Sequence, residues 1–167
     1  MERKIAFLHG LESNNSGPKN DWLRTIAEVY DPLIDYRQSM IFQKIKNEII
    51  EFKPKLIIGS SMGGFFSYEL AKELNIPAVL FNPALHSRTF TPDMTGMERG
   101  KFRPEMVFIL GLDDDIINPL ETINIVSEDG YTKENIVILP HVHRTPYEVF
   151  VREIESFCKD ILPTDYF

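Results

Sequence analysis

The chain has 167 residues, 43% hydrophobic and 26% charged, a balance that predicts one folded domain over 1–167 rather than a disordered chain. Its formal net charge of −7 argues against a nucleic-acid backbone as partner, because that requires a basic face. No apolar stretch approaches the roughly 20 residues of a membrane span, and the apolar run in the opening "MERKIAFLHG" is too short for a secretory leader, so a cytoplasmic protein is expected.

In chain order, "IAFLH" (5–9) predicts a buried strand, followed by the polar loop "GLESNNSGPKN". Asn20 or Asp21 is the expected cap of a helix with Trp22, Leu23, Ile26 and Val29 on one side. "PLIDY" (32–36) reads as a second strand. Ile41, Phe42, Ile45, Ile49 and Ile50 recur at helical spacing, and Pro54 closes that helix. "KLIIGS" is the third strand and Met62 to Leu74 the next helix. "AVLFNP" (78–83) and "MVFILG" (106–111) are strands four and five, separated by a polar, irregular segment. A helix over 119–128, a strand over 135–140 and a last helix from Pro146 to Asp160 complete the pattern. The lone Cys158 has no partner for an internal disulfide. It shares a stripe with Ile154, Phe157 and Ile161 and reads as a buried hydrophobe. Strands alternating with helices imply a doubly wound α/β fold, a mostly parallel sheet of about six strands flanked by helices. Ligands bind such sheets beyond the carboxyl ends of the strands, in the loops starting here at His9, Gly59, Asn82, Gly111 and Pro140.

Gly59, Ser61 and Gly63 match G-x-S-x-G, with a strand running in and a helix leaving. The chemistry explains the spacing. A strand that turns sharply into a helix lying close beside it needs small residues two before and two after the turn. The residue at the apex takes strained backbone angles that lift its side chain above the sheet. Walker A fails because no lysine follows Gly63 and Gly64, and a dinucleotide fingerprint fails because Ser61 stands where a second glycine is needed. Ser61 is therefore the candidate nucleophile, and it requires a base and a group to orient that base.

The acid and histidine should follow in that order, past later strands. Asp113, Asp114 and Asp115 follow the fifth strand; His141 and His143 follow the sixth. His143, further out on its loop and next to the turn into the last helix, is preferred as base over His141. One of the three aspartates is the expected acid. An EF-hand-type metal loop would want glycine where Ile116 stands, so neither metal nor cofactor is expected. His9 is expected to shape its loop and His86 to lie on the surface. The backbone N–H of Met62 at the helix start and that of Leu11 after the first strand are the candidate oxyanion donors.

"FLHGLESNNSGPK" (7–19), "GSSMGGFFSYELA" (59–71), "AVLFNPAL" (78–85) and "GLDDDIINP" (111–119) resemble the opening stretch, elbow, following strand and acid loop of the α/β-hydrolase superfamily. More narrowly, they resemble its small YqiA-like esterases of the UPF0227 family. The resemblance implies Ser61 as nucleophile and His143 as base. Gly111, Asp114, Ile116 and Ile117 match the superfamily's G-x-x-D with two aliphatics, which singles out Asp114. It implies a minimal α/β-hydrolase fold without a cap domain. The expected function is a serine hydrolase acting on a small-molecule carboxylic ester or thioester. The alternative is a binding or scaffold protein that keeps the fold without turnover. Residues 86–103 form the one long stretch without helical or strand period, and are expected to flap over the site, with Phe90, Met94, Met97 and Phe102 covering a short acyl group.

Overall fold

The computed structural model describes residues 3–100 and 102–161. Six strands, β1 (Lys4–Leu8), β2 (Glu28–Tyr30), β3 (Leu56–Ser60), β4 (Ala78–Phe81), β5 (Met106–Gly111) and β6 (Ile136–Leu139), form one sheet in the order β2-β1-β3-β4-β5-β6. Every pairing is parallel, with Leu8 opposite Gly59, Ser60 opposite Phe81 and Gly111 opposite Leu139 at the carboxyl ends. The crossovers carry α1 (Pro18–Ile26), α2 (Ile41–Phe52), α3 (Met62–Leu74) and α4 (Pro119–Glu128), and α5 (Tyr147–Ile161) follows β6. None of these helices is long and apolar enough to cross a membrane.

The central strands are apolar on both faces because both are covered. Along β3, Ile57 joins the core under α2, α3 and α4, while Leu56 and Ile58 point to the core under α1 and α5. Burying each large side chain, such as Phe66, Phe81 or Phe108, stabilises the fold by about 1.5–3 kcal/mol. Cys158 is buried in the second core with Ile154 and Phe157; the Ile161 side chain lies outside the described residues. Phe150, near the start of α5, stacks on Phe81 at 5.0 Å and tilts against Phe7 at 5.4 Å. That anchors the helix directly after the loop bearing His143.

Three expectations are corrected. The second strand is Glu28–Tyr30, not 32–36. Pro32 has no N–H for a ladder. The next donors serve the loop instead: the Ile34 N–H donates to His9 Nε2 at 2.9 Å, and the Tyr36 hydroxyl donates to the His9 carbonyl. Helix α1 starts earlier than expected, with Gly17 as cap and Pro18 at its first position, where a missing N–H costs nothing. Asn20 is consequently not a cap; it is buried and donates to Asp31 Oδ2 at 2.9 Å. Val29 leaves the helical stripe for the strand, opposite Ile5.

The third correction concerns residues 86–103, whose described residues run along α2 and α3. Asp93 accepts the Met40 N–H at 2.7 Å at the start of α2, the Gly96 carbonyl accepts from Lys46 at 2.9 Å, and the Phe102 N–H donates to the Lys72 carbonyl at 3.1 Å. Phe90 and Met94 join the core beneath them, whereas Met97 and Phe102 are exposed. Side chains read as a cover for substrate are thus partly used to close the core.

Candidate active site

The elbow's geometry follows from what its glycines touch. A Cβ on Gly59 would lie 2.5 Å from the Gly63 carbonyl oxygen, and one on Gly63 would lie 2.0 Å from the Leu8 carbonyl oxygen. Only glycine lets β3, α3 and β1 approach this closely. Ser61 itself has φ 54° and ψ −115°, an angle pair outside the left-handed helical basin, which costs on the order of 1–3 kcal/mol. Its N–H donates to the Phe81 carbonyl at 3.0 Å, and its own carbonyl accepts from Phe65 at 3.0 Å and Ala84 at 2.9 Å. These bonds hold the strained residue at the end of β4.

Above the carboxyl ends of the strands, Ser61, His143 and Asp114 come together. His143 Nε2 lies 2.9 Å from Ser61 Oγ, and His143 Nδ1 lies 2.8 Å from Asp114 Oδ2. With the Asp114 carboxylate as acceptor, the ring proton sits on Nδ1, which leaves Nε2 to accept the serine proton. The Asp114 side chain has no solvent exposure, and its other oxygen accepts the Ile116 and Ile117 N–H groups at 2.9 and 2.8 Å. Asp113 and Asp115 are exposed.

His141 takes no part in this chain of hydrogen bonds. It is buried, its Nδ1 bonds the Val142 carbonyl at 2.8 Å, and its Nε2 has no partner. His9 is buried too. With Nε2 accepting from Ile34, its Nδ1 donates to the Gly10 carbonyl at 2.7 Å, and burial lowers its pKa, which favours the neutral ring. It pins the loop after β1. His86 is half-buried against Glu121, with 3.0 Å between Nδ1 and Oε2.

Met62 is the first residue of α3, so its N–H lies among those at the positive end of the helix. Leu11 lies in the wall of a cavity of about 530 Å³ that also reaches Ser61 and His143. Between them, a Cβ added to Gly10 would be 3.3 Å from the Ser61 Cβ, so the backbone after β1 passes directly over the serine. The cavity walls are the loop 9–20 and the segment 143–147 with Phe150; among the described residues of 86–103, none lines it.

Sequence reasoning missed Asn82. It is buried, has φ 43°, donates from Nδ2 to the His143 carbonyl at 2.7 Å and accepts the Gly111 N–H at Oδ1 at 2.7 Å. It thereby ties the histidine loop to the ends of β4 and β5. A polar asparagine directly before Pro83, at the end of an apolar strand, was the available signal. Lys19 and Arg144, both in the cavity wall, were missed as well.

The sequence profile of "Uncharacterised protein family (UPF0227)" matches residues 4–108. The chain belongs to UPF0227. The matched span of this UPF0227 protein carries Ser61 and ends before Asp114 and His143. No curated protein matches the sequence significantly. Among solved structures, the protein is similar to a candidate hydrolase of the alpha/beta superfamily from Xanthomonas campestris pv. campestris. That match has 14% identity and a TM-score of 0.71, and covers 96% of this chain and 100% of the other. Est1E from Butyrivibrio proteoclasticus is similar at 12% identity and a TM-score of 0.66, over 95% of this chain and 88% of the other. A variant of SOBER1 from Arabidopsis thaliana is similar at 16% identity and a TM-score of 0.65, over 98% and 100%. At these identities the likeness establishes the α/β-hydrolase fold.

Proposed function

We propose that this UPF0227 protein is a serine hydrolase that cleaves a carboxylic ester or thioester through an acyl-enzyme. The observation that carries the reading is the continuous chain from Ser61 Oγ through His143 to a fully buried Asp114, built on a strained serine. Structural burial alone gives no reason for a half-buried hydroxyl to be held in costly backbone angles.

In this reading Ser61 Oγ attacks the carbonyl carbon as His143 Nε2 takes the hydroxyl proton. Asp114 keeps the ring oriented and balances the charge of the imidazolium. The Met62 and Leu11 N–H groups receive the oxyanion. As the tetrahedral intermediate collapses, the bond to the leaving group breaks, and His143 gives its proton to the departing alcohol or thiol. Water then attacks the acyl-serine, passes a proton to His143, and releases the carboxylic acid as the proton returns to Ser61. The cavity volume falls within the usual range for small-ligand sites.

The test is hydrolysis of 4-nitrophenyl esters and acyl thioesters of graded chain length by wild type and Ser61→Ala. The reading expects turnover on at least one class, lost in the variant while the fold is retained. A folded wild-type protein that cleaves neither class would return the chain to the binding-protein alternative.

A further inference from the structure

The cavity beside Ser61 has a charge pattern that cleavage of a neutral ester does not require. Its titratable lining groups are His9, Glu12, Lys19, His143, Arg144 and Tyr147. Glu12 is the one acid among them, and its carboxylate lies 3.4 Å from the Arg37 guanidinium, which does not line the cavity. Lys19 and Arg144 are therefore left as neighbouring cations in a chain whose net charge is −7. Among the described residues, the Arg144 guanidinium has no hydrogen bond or ion pair. Lys19 is half-buried and held in place: its ammonium donates to the Thr145 carbonyl at 2.6 Å and lies 5.2 Å from the centre of the Phe150 ring. That leaves two of its three donors uncommitted to that carbonyl. Burial, and then the charge of Arg144, push its pKa down to about 8, so it remains mostly protonated at neutral pH. Two further observations agree. Thr145, 3% exposed and in the cavity wall, has a hydroxyl with no partner. The first turn of α1, from Gly17 to Asn20, adds the positive end of a helix to the same wall.

Two cations that feel each other's charge in one wall, where the single acid Glu12 is paired with Arg37, form a site that an anion would complete. We propose that the cavity binds an anionic group, a carboxylate or a phosphate, carried by the substrate, with Lys19 and Arg144 as its cationic partners. As a statement about turnover this rests on the hydrolase reading; as a statement about binding it does not.

The binding arm uses the Ser61→Ala protein with three stable probes: monomethyl succinate, methyl 3-phosphonopropionate, and the neutral isostere methyl 4-methylpentanoate, followed by calorimetry or NMR titration. At least one anionic probe should bind about tenfold or more tightly than the neutral one, and Arg144→Gln or Lys19→Gln should each remove most of that preference. Lys19→Arg should retain it, which separates lost charge from a disturbed loop. The tighter of the two anionic probes identifies the group as carboxylate or phosphate. The kinetic arm compares the corresponding 4-nitrophenyl esters with wild type, where the ratio of kcat/KM for anionic over neutral ester should exceed one and fall with added salt. Equal or weaker binding of both anions, or a preference untouched by the Gln variants, overturns the proposal. Selective anion binding without turnover of any ester would overturn the hydrolase reading and leave the anion site standing. Turnover of the neutral ester without anion preference would do the reverse.

Discussion

Gly63→Ala tests whether the elbow depends on backbone contact rather than on a preference for flexible residues. The added methyl would lie 2.0 Å from the Leu8 carbonyl oxygen and 2.5 Å from the His9 carbonyl oxygen. Ordinary contact begins near 3.4 Å, so roughly 1.4 Å of clearance is missing against backbone that cannot rotate aside. Either α3 moves away from β1 or the loop after β1 lifts. Overpacking of this kind costs about 1–3 kcal/mol, which for a chain of this size lowers Tm by roughly 2–12 °C. Ser61 and Met62 share the displaced turn, and a misplacement near 1 Å costs on the order of 100-fold in rate. Gly64→Ala is the internal comparison. Its methyl would meet the Pro83 Cα and Cβ at 2.9 Å, a smaller encroachment, and should be milder in both respects. Thermal unfolding followed by circular dichroism, with kcat on a 4-nitrophenyl ester, reads both effects. A Gly63→Ala protein with wild-type Tm and wild-type kcat would refute the steric argument.

The remaining predictions address the hydrogen-bonded chain and the cavity. His143→Ala should lower kcat by about 10⁴-fold or more, whereas His141→Ala, which removes no contact to Ser61, should cost far less; steady-state kinetics with the reverse ranking would reassign the base. Asp114→Asn should lower kcat by about 10⁴-fold with the fold intact, and Asp113→Asn or Asp115→Asn should cost little, as checked by parallel kcat and Tm measurements. Asn82→Ala leaves the buried Gly111 N–H without its partner, a loss of about 1–3 kcal/mol in denaturant unfolding, and by freeing the His143 carbonyl should reduce kcat more than it raises KM. Because the Lys19 pKa is lowered to about 8 from 10.5, burying its charge opposes folding below pH 8, and that penalty is relieved as pH rises toward 10.5. Over the same rise Lys19 loses its charge, so any preference for anionic esters should decline with a midpoint near pH 8 in kcat/KM ratios.

How much of this was readable in sequence depends on the range of each interaction. The alternation of apolar strands with helices of 3.6-residue period gave the parallel α/β sheet, because burial on both faces writes itself into neighbouring residues. The elbow was equally local: Gly59, Ser61 and Gly63 lie within five positions, between a strand and a helix. β2 was misplaced because its partner contacts outweigh its own composition. Val29 and Tyr30 pair with Ile5 and Ala6, while the apolar 33–36 stretch turns to hold His9. The segment 86–103 had no period to read, and its course along α2 is set by side chains such as Asp93 meeting Met40. Lys19 and Arg144 lie at opposite ends of the chain, and nothing in either neighbourhood indicates that folding brings them to one cavity.

The central claim is that Ser61 is an activated nucleophile, and covalent labelling tests it most directly. The folded protein, treated with an alkyl fluorophosphonate and mapped by peptide mass spectrometry, should gain a single adduct on Ser61, absent in Ser61→Ala and strongly slowed in His143→Ala. A folded protein that stays unlabelled, or one labelled at another residue with Ser61 untouched, would contradict the account.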